Sequence, residues 1–333
     1  MVIKHYNMSG KLIELNIDIP TSEFIFFVIQ IICYWIYFML VIFLIYKLNR
    51  HRTTKSSFEF HFVSNFPIDM FQIFQILVFT KCFRWGLFLN LLVTNKIIHK
   101  LYTLSYPTIL GSLFGNTIIL INKYCALANP IFYNTKWRGK ICYIIVLIQY
   151  VSPFLIYIFD IINNPTLGYS PRKKLIIFFF RDKSSEFINN CILASFAGLA
   201  GILSIILNII TIKKYNKAIR NSSSKEKSKE ITLIINMLIT SISVIALSIQ
   251  QTTRLTFTLL GFKDGLYMLP SYLYWILNVN VAIKPFVVLV LSKSIRQGFL
   301  RFYFGRIYFY LCKDKKNNFH ENVFPFSRRI VLN

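Results

Sequence analysis

The sequence predicts an all-α integral membrane protein: a bundle of seven transmembrane helices with an amphipathic helix after the last. Three observations carry this. Of 333 residues, 55% are apolar, too many for a soluble domain of this length to cover with a polar surface. Seven stretches are long and apolar enough to cross the hydrocarbon of a bilayer, about 30 Å, which takes about 20 helical residues. The basic residues gather on one side of those stretches.

The stretches lie at 24–46, 58–80, 104–128, 141–160, 188–212, 231–256 and 268–292. The first is too long for the apolar region of a cleavable signal and lacks a small-residue cleavage site after it, so it reads as a span that is its own insertion signal. The second is the most polar, carrying Glu59, His61 and Asp69. The third contains Gly111-x-x-x-Gly115, a pattern for close helix packing. Pro67, Pro107 and Pro153 are candidate helix breaks. Two further apolar runs, Trp85–Val93 and Leu175–Phe180, are too short to span. The second of these, rich in Ile and Phe between charged flanks, suits a strand folded over the outer mouth. Segment 221–230 is the one clear hydrophilic break, and reads either as a solvated linker or as a phosphorylatable loop.

The chain carries 38 basic and 13 acidic residues, a formal charge of +25. In a soluble protein that excess would suggest nucleic acid. Here membrane topology explains it, and no nucleic-acid partner is expected. With the N-terminus outside, the segments 47–57, 123–140, 213–230 and 293–333 face inward and hold 24 basic residues; the outer segments hold 13, and Lys284 lies within a span. The expected division is an extracellular N-terminus (1–23), the bundle (24–292), and a cytoplasmic amphipathic helix and tail (293–333). Asn7-Met8-Ser9 is a glycosylation sequon in the outer segment. The tail alternates Arg296, Phe299, Arg301, Phe302, Phe304, Arg306, Tyr308 and Phe309, which suits a helix lying among lipid headgroups, and Cys312 at its end is a palmitoylation candidate.

The six cysteines fall in no metal-ligand or C-x-x-C spacing, so no metal or cofactor is expected. For catalysis there is no H-E-x-x-H, G-x-S-x-G or P-loop, and five scattered histidines make no cluster. A membrane transporter or channel is one reading of such a bundle, but neither inverted repeats nor rings of charge are visible.

The most specific stretch is Asn122-Lys123-Tyr124-Cys125-Ala126-Leu127-Ala128-Asn129-Pro130-Ile131-Phe132-Tyr133, at the inner end of the third span. It resembles the motif of rhodopsin-like G-protein-coupled receptors, with Tyr124, Leu127, Pro130, Ile131 and Tyr133 at matching spacing, Asn122 in place of the acid and Lys123 in place of the arginine. The Asn-basic-aromatic variant, followed by Trp137, is similar to the nematode serpentine chemoreceptors, specifically class gamma and its relatives. Lys284-Pro285-Phe286 and the stretch around Pro67–Phe71 match as well. The resemblance implies a chemosensory receptor in the plasma membrane of a sensory neuron. It would take a small molecule from outside and activate a heterotrimeric G protein inside. Asn122, Lys123, Tyr124, Pro130 and Tyr133 would then serve coupling. Asn122 cannot pair with a neighbouring cation as an acid would, so the resting lock is expected to be weak or absent. The usual outer disulfide is missing too, and Cys82 with Cys191 is the alternative pair.

Asp69 and Lys284 are charges inside spans, each costing at least about 2.5–3.5 kcal/mol on insertion scales, so both should face the bundle and find partners. Counted from the inner ends of their spans, they sit within a few Å of the same depth. In rhodopsin-like receptors the matching Asp and Asn share a sodium ion. Lys284, before Pro285, is expected to supply the cation itself, either as a switch or as a pair that merely fixes helix register. The expected ligand contacts in the outer half are Tyr106, Ser112 and Asn116 on the third span, Asn190 on the fifth, Gln250, Gln251 and Arg254 on the sixth, and Tyr274, Trp275 and Asn278 on the seventh, in a mostly apolar pocket.

Overall fold

A computed structural model describes residues 2–6, 12–16, 21–50, 57–82, 96–137, 140–162, 166–170, 175–179, 183–219 and 224–313. Eight helices organise it: α1 (Thr21–Arg50), α2 (Ser57–Ile76), α3 (Ser105–Ala128), α4 (Lys140–Ile156), α5 (Lys183–Ile219), α6 (Ser224–Leu259), α7 (Lys263–Leu291) and α8 (Lys293–Lys313). Six of the first seven are long and apolar enough to cross a membrane. The exception, α4, has 17 residues and is continued by Ile158–Ile162 beyond a turn at Tyr157. The Tyr157 amide still donates to the Pro153 carbonyl and the Ile161 amide to Tyr157, so the two pieces act as one crossing. All seven expected spans therefore fall on helices.

Apolar side chains on α1 such as Ile25, Ile32 and Trp35 are more than half exposed, as a lipid-facing surface requires. At the other extreme is α3, 67% of whose apolar window is buried, against 33% for α1. It packs against α2, α4, α5 and α6 and is the axis of the bundle. One buried apolar cluster surrounds it, joining Tyr106, Leu110 and Leu113 to Leu193, Leu247 and Leu273. A second joins α1, α2 and α7 around Tyr37, Leu44, Phe62 and Val281.

The prolines act differently by position. Pro107 stands in the first turn of α3, where a missing N–H costs nothing. A separate helix, Lys96–Thr103, ends just before it, with the Leu104 amide turning back to Leu101. Pro67 lies inside α2 without breaking it, and the Tyr150 hydroxyl caps the nearby Ser64 carbonyl at 2.5 Å. Pro153 leaves the Gln149 carbonyl without its helical donor one turn before α4 pauses at Tyr157.

Leu175–Phe179 is a strand, as expected, paired antiparallel with Thr166–Ser170, and a second hairpin pairs Val2–Tyr6 with Leu12–Asn16. Asn7, Trp85–Val93 and Asn221 lie outside the described residues. The helix expected after the last span is α8, held on α1 by Phe43 against Phe299 and Phe302 and by the Tyr303 hydroxyl donating to the Met39 carbonyl at 2.8 Å. Its two faces are less segregated than expected, because Arg301, Phe302 and Phe304 are all exposed and the helix kinks at Phe304. The alternative disulfide is not formed: Cys82 and Cys191 are free thiols.

Candidate functional site

Two polar layers run through the bundle, and its ends are named by the orientation the basic residues predict. In the inner half, Asp69 on α2 is fully buried and accepts from four donors. The Lys284 ammonium approaches Oδ2 at 2.6 Å, the Tyr37 hydroxyl at 3.0 Å and the Asn65 amide at 3.1 Å, while the Ser112 hydroxyl takes Oδ1 at 2.8 Å. The carboxylate thus ties α1, α3 and α7 to α2. Pro285, also buried, removes the N–H that would bond the Val281 carbonyl, so the α7 ladder is loosened beside the lysine.

A carboxamide pair lies beside this pair of charges. Gln149 on α4 donates to Asn65 Oδ1 at 2.8 Å, and Asn65 passes its own N–H to Asp69. The two amides meet over Gly115, where an added Cβ would stand 1.9 Å from Asn65 Oδ1 and 2.5 Å from Gln149 Nε2. Only a residue without a side chain lets α2, α3 and α4 share this point, which gives the Gly-x-x-x-Gly pattern its physical content.

At the inner end, Asn122 Oδ1 accepts from Ser57 at 2.9 Å, and Ser57 also contacts Cys142 Sγ at 3.0 Å. The thiol donates to the Trp137 carbonyl at 2.8 Å and lies 3.4 Å from His61 Nε2, so α2, α3, α4 and the turn before α4 are joined. The neighbouring Lys123 reaches α6, where its ammonium donates to Asn236 Oδ1 at 2.6 Å and Thr240 Oγ1 at 3.1 Å and lies over the Phe58 ring. Asn122 makes no charge pair with its neighbour, in line with the expectation for that lock. Lys123 is held instead between α3 and α6 by neutral oxygens. Asn236 and Thr240 were missed by sequence reading, although their i, i+4 spacing puts them on one helix face. Beside Lys123 a cleft of about 370 Å³, open mouth included, is lined by Phe58, Asn116, Asn236, Asn280 and Lys284.

The rest of the motif shapes the turn. The Asn129 amide bonds the Cys125 carbonyl and its side chain accepts from the Phe132 amide at 3.1 Å, after which the short helix Pro130–Phe132 leads into Tyr133–Trp137. Tyr124 is half-buried with the Lys214 ammonium of α5 over its ring, and Tyr133 is half-buried. Cys312 falls on the last turn of α8.

The expected outer contacts separate into three groups. Tyr106 and Asn190 are buried and meet, hydroxyl to Oδ1, at 3.4 Å; Asn278 is buried and accepts from Tyr34 at 3.0 Å; Gln251 is buried; and Tyr274 packs against the apolar cluster. Ser112 and Asn116 are corrected: the first is committed to Asp69 and the second lines the inner cleft, because both lie more than a turn deeper on α3 than Tyr106. Trp275 is corrected as well. It is 44% exposed, edge-on to Phe26 of α1, on the outward side of α7. Gln72 and Asn189 are buried polar residues that sequence reading left out of the outer set, and Gln250, which it included, is buried as well.

Comparison with curated proteins finds no match. A family model does match, that of the serpentine type 7TM GPCR chemoreceptor Srv, over residues 26–304, which takes in all seven spans and the first half of α8. The class is Srv where the motif pointed to class gamma; both lie within the nematode serpentine chemoreceptor superfamily. Because the match takes in well over half of the chain, the chain belongs to the Srv family of seven-transmembrane chemoreceptors.

Proposed function

We propose that this multi-pass membrane protein is a chemosensory receptor of the plasma membrane, with its N-terminus outside, that binds a small molecule in its outer half and activates a heterotrimeric G protein at its inner end. The observation that carries the reading is the Lys123 clasp on Asn236 and Thr240. In a closed bundle it holds α3 to α6 over the inner cleft. A ligand that favours separation of these helices releases an ammonium toward the cytoplasm, and signalling follows from a shift in population without covalent chemistry. Asn122, Tyr124, Pro130 and Tyr133 shape the surface around the released charge. The Asp69–Lys284 pair sets the register of α2 and α7 and biases the same equilibrium.

Residues 1–23 form the extracellular segment, with Asn7 glycosylated, and 293–333 the cytoplasmic one, with Cys312 acylated against the membrane lipids. The cell that fits a chemosensory role is a sensory neuron, and the protein acts as a receptor and not as an enzyme. The test is reconstitution in vesicles with a promiscuous G protein. Nucleotide exchange that depends on the receptor and falls in Lys123→Ala supports the reading. Ion flux without exchange assigns the chain to the transporters or channels instead.

A further inference from the structure

Buried polar atoms are normally hydrogen-bonded, and each that is not costs about 1–3 kcal/mol. The outer half departs from this rule at Gln72 on α2 and, more extensively, between α5 and α6. On α5, Asn189 Nδ2 is buried and unpartnered among the described residues; on α6, so are Gln250 Oε1 and both Gln251 side-chain atoms. All three residues are at least nine-tenths buried. The Gln250 amide nitrogen is bonded to the Leu269 carbonyl of α7, which fixes where its oxygen stands.

These groups share one apolar floor. Asn189 lies one turn outward of Leu193, and Gln251 one turn outward of Leu247. Both leucines belong to the cluster that also holds Tyr106, Tyr157 and Leu273. Tyr157 stacks on Tyr106 and bonds the Asn189 carbonyl, while Tyr106 bonds Asn190, so the Tyr–Asn side of the floor is already satisfied. What remains open is a carboxamide set with donors from Asn189 and Gln251 and acceptors from Gln250 and Gln251. Among the described residues, no carboxylate or ammonium belongs to it. Arg254, one turn further out on α6, is half-buried and engaged in interactions of its own.

We propose that the outer-half pocket takes a neutral molecule with an apolar body and both a hydrogen-bond donor and an acceptor, such as an amide or a hydroxy-carbonyl compound, read by Asn189, Gln250 and Gln251. Among the described residues of the set, a full charge buried here would meet amide dipoles and no counter-ion, which is the costly arrangement. A molecule with a donor or an acceptor alone would leave half the set unsatisfied. This inference rests on the receptor reading above and adds the ligand class to it.

The test measures thermal unfolding of the full-length protein in detergent by tryptophan fluorescence, with no G protein present. The probes are hexanamide, hexanoate and hexylammonium, matched in chain length. Without probe, the near-isosteric apolar variants Gln251→Met and Asn189→Leu should raise the midpoint by about 2–4 °C, since they remove unsatisfied buried atoms. Hexanamide should stabilise the wild type, with affinity reduced about tenfold in Gln251→Met, and neither charged probe should show a Gln251-dependent effect. A lower midpoint in both variants overturns the proposal, because the amides would then be structural. So does Gln251-dependent stabilisation by hexanoate or hexylammonium, or a flat response to hexanamide. Binding without nucleotide exchange would count against the coupling reading alone.

Discussion

The inner and outer halves of the bundle bury the same kinds of polar side chain and treat them in opposite ways. Inside, Asp69 has four donors, Asn65 and Gln149 bond each other, and Lys123 has two acceptors and an aromatic face. Two of the atoms left over there, Asn122 Nδ2 and His61 Nδ1, belong to groups whose other polar atom is bonded. Outside, among the described residues, Gln251 has neither of its atoms bonded, and Gln72, one turn above Asp69 on α2, is in the same state. A satisfied polar network specifies one arrangement of helices, and an unsatisfied one is an opening for something else to complete. The difference divides the molecule into a part built to hold a state and a part built to be acted upon.

The largest expected effect breaks the inner part. Lys284→Met leaves the Asp69 carboxylate buried without its cation, which costs about 3–5 kcal/mol, whereas replacing both charges by neutral groups is far cheaper. Thermal unfolding of Lys284→Met, Asp69→Asn and the double variant checks this as a double-mutant cycle. The double variant should be more stable than Lys284→Met; equal or lower stability would mean the pair is not coupled as the 2.6 Å contact implies. Next is Gly115→Ala, whose Cβ would collide with both carboxamides above it. Overpacking of this kind costs about 1–3 kcal/mol, and loss of surface expression or a depressed midpoint is the readout. Gly198 on α5 has nothing within 4 Å of an added Cβ, so Gly198→Ala is the control and should hold or raise the midpoint, since alanine suits a helix interior better than glycine.

Asn236→Leu sharpens the comparison in function instead of stability. It removes the 2.6 Å acceptor from Lys123 and keeps the lysine. Hydrogen bonds to charged groups are worth about 1.5–3 kcal/mol, so basal nucleotide exchange should rise about tenfold if most of that energy favours the closed bundle. Unchanged basal exchange in well-expressed protein would show that the clasp is not what keeps the inner end shut.

How much of this was legible in the residues follows from the range of each interaction. The spans were, because their signal is local composition over about 20 residues, and even the polar second span fell on a helix. The meeting of Asp69 and Lys284 was legible as well, since a charge in hydrocarbon demands a partner and only one lay at its depth. Lys123 was noticed and its acceptors were not. Asn236 and Thr240 are ordinary residues 113 and 117 positions away, and nothing in a single helix marks which face meets which neighbour. Trp275 was misplaced for the same reason, whereas Ser112 and Asn116 lie deeper on α3 than the outer set. Depth along a span can be counted from its ends, but rotation about the axis is set by packing between helices, and a half-turn separates a pocket from lipid.

The smallest expected effect tests the outer half where it is satisfied. Tyr34→Phe deletes the hydroxyl that donates to Asn278 Oδ1 at 3.0 Å between α1 and α7. Interhelical hydrogen bonds within membranes average about 0.6 kcal/mol, since the separated helices also find partners, so the midpoint should fall by only a degree or two. Asn278 would then join Gln251 as a buried carboxamide with an open acceptor. If outer-half amides act on ligands by being open, Tyr34→Phe should therefore strengthen binding of a donor-bearing probe such as hexanamide while slightly weakening the fold. A loss of binding would place Asn278 with the structural residues, and it would draw the boundary between the two halves one turn further out on α7.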